Sequence, residues 1–92
     1  MSLQFEWDEQ KADRNEIKHG VNFAEAKTVF ADLNSITIDD FEHSIEEDRY
    51  IDIGISDRGR LLVVIYTERG DSIRIISSRC ATNQEIRIYE QS

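Results

Sequence analysis

Gly59-Arg60-Leu61-Leu62-Val63-Val64-Ile65-Tyr66-Thr67-Glu68-Arg69, followed after a short break by Ile73-Arg74-Ile75-Ile76-Ser77-Ser78-Arg79, is the stretch on which the fold turns. Leu61 to Tyr66 is apolar at every position, the pattern of a central strand covered on both faces. Upstream, Ile51, Ile53 and Ile55 alternate with polar residues, which predicts a half-buried strand with Asp52 and Ser56 turned outward. Asp57-Arg58-Gly59 and Arg69-Gly70-Asp71 supply glycine-containing connections, so strands over 50–56, 60–68 and 72–78 are expected to form an antiparallel meander. Ile36 and Ile38 add a further short strand.

Around this sheet the helices announce themselves through their caps. Leu3 to Glu6 predicts a short first strand, and Asp8 is an N-cap for a polar helix that Gly20 ends. Asn22 with Glu25 resembles a capping box, and Phe23, Ala26, Val29 and Phe30 recur at spacings of three and four, the mark of a second, amphipathic helix. Thr82-Asn83-Gln84-Glu85 opens a C-terminal helix running to about Tyr89. The expected fold is therefore α+β: one small domain over residues 1–92, an antiparallel sheet of about four strands, two N-terminal helices and one C-terminal helix.

Composition narrows the function. The 92 residues and four glycines without proline describe a folded domain, and no apolar run is long enough to span a bilayer. The N-terminus lacks a basic region followed by an apolar one, and the lone Cys80 reads as a reduced thiol, so a cytoplasmic location is expected. The net charge of −8 is unevenly spread: residues 1–56 carry 5 Lys+Arg against 14 Asp+Glu, residues 57–92 carry 6 Arg against 5 acids. Arg60, Arg69, Arg74 and Arg79 lie on or at the ends of strands, and arginine suits bidentate contact with phosphate or carboxylate. Parity along the chain gives Arg69 the face of Leu61, Val63 and Ile65, but gives Arg74 that of Ile76 and Ser78, so these cations need not share a face. The acidic run Asp39, Asp40, Glu42, Glu46, Glu47 and Asp48 fits either a solvated loop or a docking place for a basic partner.

The order and spacing of several fragments resemble one family. Phe5-Glu6-Trp7-Asp8, Lys11-Ala12, Asn15, Lys18-His19-Gly20-Val21, Phe23, Glu25-Ala26 and Val29-Phe30 look like the N-terminal signature of the BrnT toxins. The likeness continues through His43-Ser44, Ile53-Gly54, Ser56, Gly59-Arg60, Tyr66-Thr67, Arg69, Arg74-Ile75-Ile76-Ser77, Arg79, Ala81-Thr82, Glu85 and Tyr89-Glu90. The resemblance implies a RelE- or barnase-like ribonuclease toxin of a type II toxin-antitoxin pair that cuts RNA without metal or other cofactor. Its implied partner is a BrnA-like ribbon-helix-helix antitoxin, through which alone it would meet operator DNA.

Metal-independent RNA cleavage needs activation of the 2′-hydroxyl, stabilisation of the phosphorane and protonation of the leaving oxygen. His19, beside Lys18 at a helix C-terminus where the dipole favours a cation, suits the acid or a phosphate contact; helix capping is its simpler role. Arg79, ending a strand just before the N-terminus of the last helix, is the leading phosphate ligand and the second catalytic candidate. Lys18, Arg60, Arg69 and Arg74 are candidates for RNA binding, although a salt bridge is the commoner fate of an isolated arginine. Glu46 and Glu47 are candidate antitoxin contacts. Glu85 is accounted for by its capping box, and Tyr66 and Tyr89 are expected to be core residues with satisfied hydroxyls. His43 with the neighbouring acids has no recognisable ligand spacing, so no metal site is expected. The acidic balance also suits an alternative, a catalytically attenuated homologue that holds an antitoxin and assists repression.

Overall fold

Leu62 and Val64 are fully buried in the strand Leu61–Arg69, which is hydrogen-bonded along both edges, so the uniformly apolar segment is the centre of the sheet. The computed structural model describes residues 3–40, 42 and 47–92. His43 and Glu46 lie outside the described residues. In chain order the elements are β1 (Gln4–Glu6), α1 (Glu9–His19), α2 (Phe23–Ala26) running into a 3₁₀ turn (Lys27–Ala31), β2 (Ile36–Asp39), β3 (Arg49–Ile55), β4 (Leu61–Arg69), β5 (Ser72–Cys80) and α3 (Asn83–Glu90).

The caps form as local chemistry demands. Asp8 accepts from the Lys11 amide at 3.0 Å, and Gly20 closes α1 at φ 70°, a left-handed geometry in which glycine meets no Cβ penalty. Thr82 and Glu85 make a reciprocal capping box on α3. Asn22 caps α2 at 2.7 Å, but α2 lasts only four residues before tightening into the 3₁₀ turn. Phe23, Ala26 and Val29, all at most 1% exposed, are three residues apart; that spacing lines up on a helix of three residues per turn. The Thr28 hydroxyl donates to the Glu25 carbonyl within the same transition.

The sheet has the order β1-β5-β4-β3-β2. Strands β2 to β5 are antiparallel as expected, but β1 joins the outer edge of β5 in parallel, giving a mixed sheet of five strands. This edge place lets Phe5 stack on Phe30 (centroids 5.2 Å apart) while Glu6 reaches Arg74. One sheet face carries Leu62, Val64, Tyr66, Ile73 and Ile75 against Val21, Phe23, Ala26 and Val29. Each buried Val, Leu, Ile or Phe there contributes about 1.5–3 kcal/mol relative to exposure, so this single layer is the main source of stability.

On the opposite face Ile53 and Val63 are each 1% exposed, and α3 packs against β3. Towards the other end of that face Ile51 and Ile65 are only half-buried. The face is thus closed at one end and open at the other. The expectation that Asp52 and Ser56 point outward is corrected: they are 3% and 5% exposed. The helix layer covers their side of β3, where Tyr66 donates its hydroxyl to Asp52 at 2.9 Å and Ser56 donates to Glu25 at 2.7 Å. Tyr89 likewise donates to Asp32 at 2.7 Å, so both hydroxyls are satisfied as expected, but only Tyr66 is a core residue; Tyr89 is half-buried because its helix lies at one end of the sheet face.

Candidate nucleic-acid interface

The pairing of β4 with β5 slips by one residue: Ile65 faces Ser77, but Tyr66 faces Ile75, leaving Ile76 as the extra residue of a bulge. The slip inverts the parity of everything after it. Arg74 stands opposite Thr67 and Arg79 opposite Val63, and Thr67 and Val63 lie on the same side of β4 as Ile65. Arg74 and Arg79 therefore occupy one sheet face despite their odd separation in sequence, which corrects the parity expected from an unbroken strand. Arg49, opposite Thr67 on β3, holds a position on that same face.

The bulge is held by α1. Strand β1 pairs only as far as Arg74, so the outer edge of β5 beyond it has no strand partner. Asn15, 7% exposed, fills that gap with its carboxamide: Nδ2 donates to the carbonyls of Ser78 (2.8 Å) and Val21 (2.9 Å), and Oδ1 accepts from the Ser78 amide (3.1 Å) and the Ser77 hydroxyl (3.3 Å). One side chain thereby sets the C-terminal half of α1 against the bulge, in accord with the rule that buried backbone groups find partners.

Two clefts meet at this point. The first, about 250 Å³, lies between α1 and the bulge and is lined by Lys11, Arg14, Lys18 and His19 with Asn15, Ile76 and Ser77. The second, about 360 Å³, lies on the open sheet face between Arg49 and Arg79, floored by Ile51 and Ile65, with Asp40 and Glu42 on its rim; it too is bordered by Ile76 and Ser77. Five cations and a histidine thus line two adjoining hollows. Among the described lining residues, acids occur in the second cleft alone, as Asp40 and Glu42.

The predicted site residues divide accordingly. His19 and Lys18 stand together in the first cleft, and Arg79 stands in the second. Arg79 is held by Glu85 in a two-pronged ion pair, Nη1 to Oε1 at 2.7 Å and Nη2 to Oε2 at 2.9 Å. The guanidinium, together with the Thr82 amide, draws the Glu85 carboxyl down to about 2, so Glu85 is ionised at neutral pH and a weak base. Arg74 pairs with Glu6 at 2.9 Å and Arg69 with Glu47 at 3.5 Å, both nearer the β4–β5 turn.

Arg60 is set apart: it hydrogen-bonds the buried Glu25 through Nε and Nη2 and reaches the Gly20 carbonyl at 3.1 Å. Hydrogen bonding from Arg60 keeps the Glu25 carboxyl below its ordinary range. The pair ties α2 and the end of α1 to the β3–β4 loop and draws Arg60 away from the two clefts. Sequence reading passed over Asn15, Ser77, Arg49, Lys11 and Arg14 as site residues. The spacing of Lys11, Arg14 and Lys18 along one helix face was a usable signal; nothing local marks Arg49. Among the described residues no three His, Cys, Asp or Glu side chains are grouped to hold a metal ion.

The domain thus combines three helices, a five-stranded mixed sheet and an open sheet face bordered by cations. The family described as the ribonuclease toxin BrnT of type II toxin-antitoxin systems matches residues 7–85, and the chain belongs to that family. Among solved structures, the 1.1 Å crystal structure of the Brucella abortus ribonuclease toxin BrnT is similar, with a TM-score of 0.67 and 26% identity over 89% of this chain and 100% of that one. No curated protein sequence compared with this chain matches it.

Proposed function

We propose that this protein is a cytoplasmic endoribonuclease toxin that cleaves single-stranded RNA without a metal ion and is neutralised by a BrnA-like ribbon-helix-helix antitoxin, which alone carries the pair to operator DNA. The observation that supports this reading most is the meeting of the two clefts at Ser77, with His19 and Lys18 on one side and Arg79 on the other. An RNA strand laid across the bulge would present one phosphate to Arg79, whose N–H donors not taken by Glu85 can reach its oxygens while Glu85 holds the other side of the guanidinium. Arg79 then stabilises charge developing on the phosphorane, the His19 ring gives a proton to the departing oxygen, and water takes the proton released by the attacking 2′-hydroxyl. Lys18 with Lys11 and Arg14 holds the next phosphates. Arg74 and Arg69 extend the cationic margin at its far end. Glu85 orients Arg79 and does not take the proton, because its carboxylate is too weakly basic.

The test is induced expression of wild type, Arg79→Ala and His19→Ala, each with and without the antitoxin, scored by growth and total RNA integrity. Loss of one transition-state charge contact costs about 10²–10³ in rate, so each variant is expected to abolish arrest while remaining folded. Purified toxin should cut RNA equally well in excess chelator; dependence on added divalent metal would refute the metal-free chemistry. One observation favours a second reading: Arg79 already has a carboxylate partner, as a catalytically attenuated homologue kept for antitoxin binding would. No arrest from soluble, folded wild type that still binds the antitoxin would decide for it.

For the antitoxin, the acidic segment supplies the docking charge. Glu47, 41% exposed and only loosely paired with Arg69, is available to a basic partner, and Glu46 is its companion in the sequence. Glu47→Lys is expected to weaken the toxin–antitoxin complex about tenfold, and more steeply at low salt. Unchanged affinity in a calorimetric titration would remove this surface from the interface.

A further inference from the structure

The cleft between Arg49 and Arg79 contains more than phosphate binding requires. Its floor is Ile51 from β3, Ile65 from β4 and Ile76 from the bulge, all half-buried towards the open end of the sheet face. Branched apolar side chains left open to water mark a surface made to be covered. Between two guanidinium groups, a flat apolar floor suits an unstacked nucleobase, which single-strand binders seat by face contact while cations take the flanking phosphates. The volume of about 360 Å³ falls within the range of small-ligand sites.

The acids on the rim narrow the choice of base. Asp40 and Glu42 border this cleft, where carboxylates repel an RNA backbone and are useful only against hydrogen-bond donors. An ionised carboxylate can only accept. The pairing edge of uracil sets carbonyl oxygens on both sides of its single N–H, and a carboxylate repels them. Guanine offers two adjacent donors, N1–H and N2–H₂, which one carboxylate accepts together.

We infer that this cleft is a nucleobase subsite, in which one base of the RNA lies on the isoleucine floor with its phosphate on Arg79, while Glu42, supported by Asp40, selects guanine over uracil. The inference rests on the RNA-cleaving reading for its class of ligand, and adds the residues that would choose the cleavage site. It is tested by binding, apart from activity: amide NMR titration of the full chain with guanosine 3′-monophosphate and with uridine 3′-monophosphate, using wild type, Glu42→Gln and Arg79→Ala.

In wild type, the guanosine nucleotide is expected to shift the amides of Ile51, Ile65 and Ser77 and to bind about tenfold tighter than the uridine nucleotide. Glu42→Gln, a change at an exposed side chain, should reduce that preference to about threefold or less, whereas Arg79→Ala should weaken both ligands by similar factors. Equal affinities in wild type, a preference untouched by Glu42→Gln, or shifts confined to the His19 cleft would each overturn the subsite. A protein that discriminates between the nucleotides yet leaves RNA intact would support the subsite while refuting the nuclease reading.

Discussion

Glu85 answers three donors at once, the Thr82 amide at 2.9 Å and both prongs of Arg79. Its carboxyl falls from an ordinary 4.5 to about 2, chiefly through the Arg79 hydrogen bonds. A depressed acid stabilises the fold above its unfolded value, and that contribution is lost as pH falls from about 4.5 through about 2. Wild type is therefore expected to lose thermal stability across this window, and Glu85→Gln to start lower at pH 7 with a flatter profile; parallel profiles in thermal melts would show that the pair does not contribute. Asp52 behaves in the opposite sense. Burial raises its pKa despite hydrogen bonds from Thr37 and Tyr66, so ionised Asp52 costs stability at neutral pH and the cost lessens as pH falls. Asp52→Asn keeps an acceptor for Tyr66 and removes the buried charge, and its melting temperature at pH 7 should equal or exceed that of wild type. Gly54 is set by contact: an added Cβ would lie 2.8 Å from Cγ1 of the buried Val29 and 3.0 Å from Ser35 Cβ. Gly54→Ala should cost about 1–3 kcal/mol in urea unfolding.

The helices differ in how firmly they are attached, and the difference lies where function would need it. α1 has one buried residue, Asn15, and that side chain bonds the strand edge beyond β1. Asn15→Ala strands the amide and carbonyl of Ser78 away from water. The expected loss is on the order of 3 kcal/mol, with hydrogen exchange at Ser78 accelerated more than in β3. Uniform acceleration across the sheet would mean that Asn15 supports the whole core and not the bulge in particular. α3 has no fully buried residue; its capping box and the Arg79 pair hold its first turn, and Tyr89 reaches Asp32 from its last. The element that closes one end of the sheet face is thus anchored by polar bonds at its ends.

Across the protein, the net charge of −8 opposes the binding of any polyanion, whereas the two clefts bring five cations together. Four phosphate contacts, by Lys11, Arg14, Lys18 and Arg79, would release counterions from single-stranded RNA with a slope of log affinity against log salt of about −3. An uncleavable 2′-deoxy oligonucleotide titrated at several salt concentrations measures this slope. A value near zero would show that the clefts do not engage the backbone.

The caps of α1, α2 and α3 were legible because each depends on residues within four positions of one another, as were the central strand and the hairpins that flank it. The resemblance to the BrnT toxins likewise lay in the order of short fragments along the chain. The long 3₁₀ turn was foreshadowed by the three-residue spacing of Phe23, Ala26 and Val29, although that spacing is shared with an α-helix. No local pattern placed β1 in parallel beside β5, buried Asp52 under the helix layer, or drew Arg60 to Glu25 across 35 residues. Nor did any pattern reveal the one-residue slip at Ile76, which moves Arg74 and Arg79 onto one face. Composition and periodicity determined which segments would be helix or strand and which residues could carry charge. Which charges meet was decided by strand register and by side chains such as Asn15 that bind distant backbone, because a slip of one residue reverses every side chain beyond it.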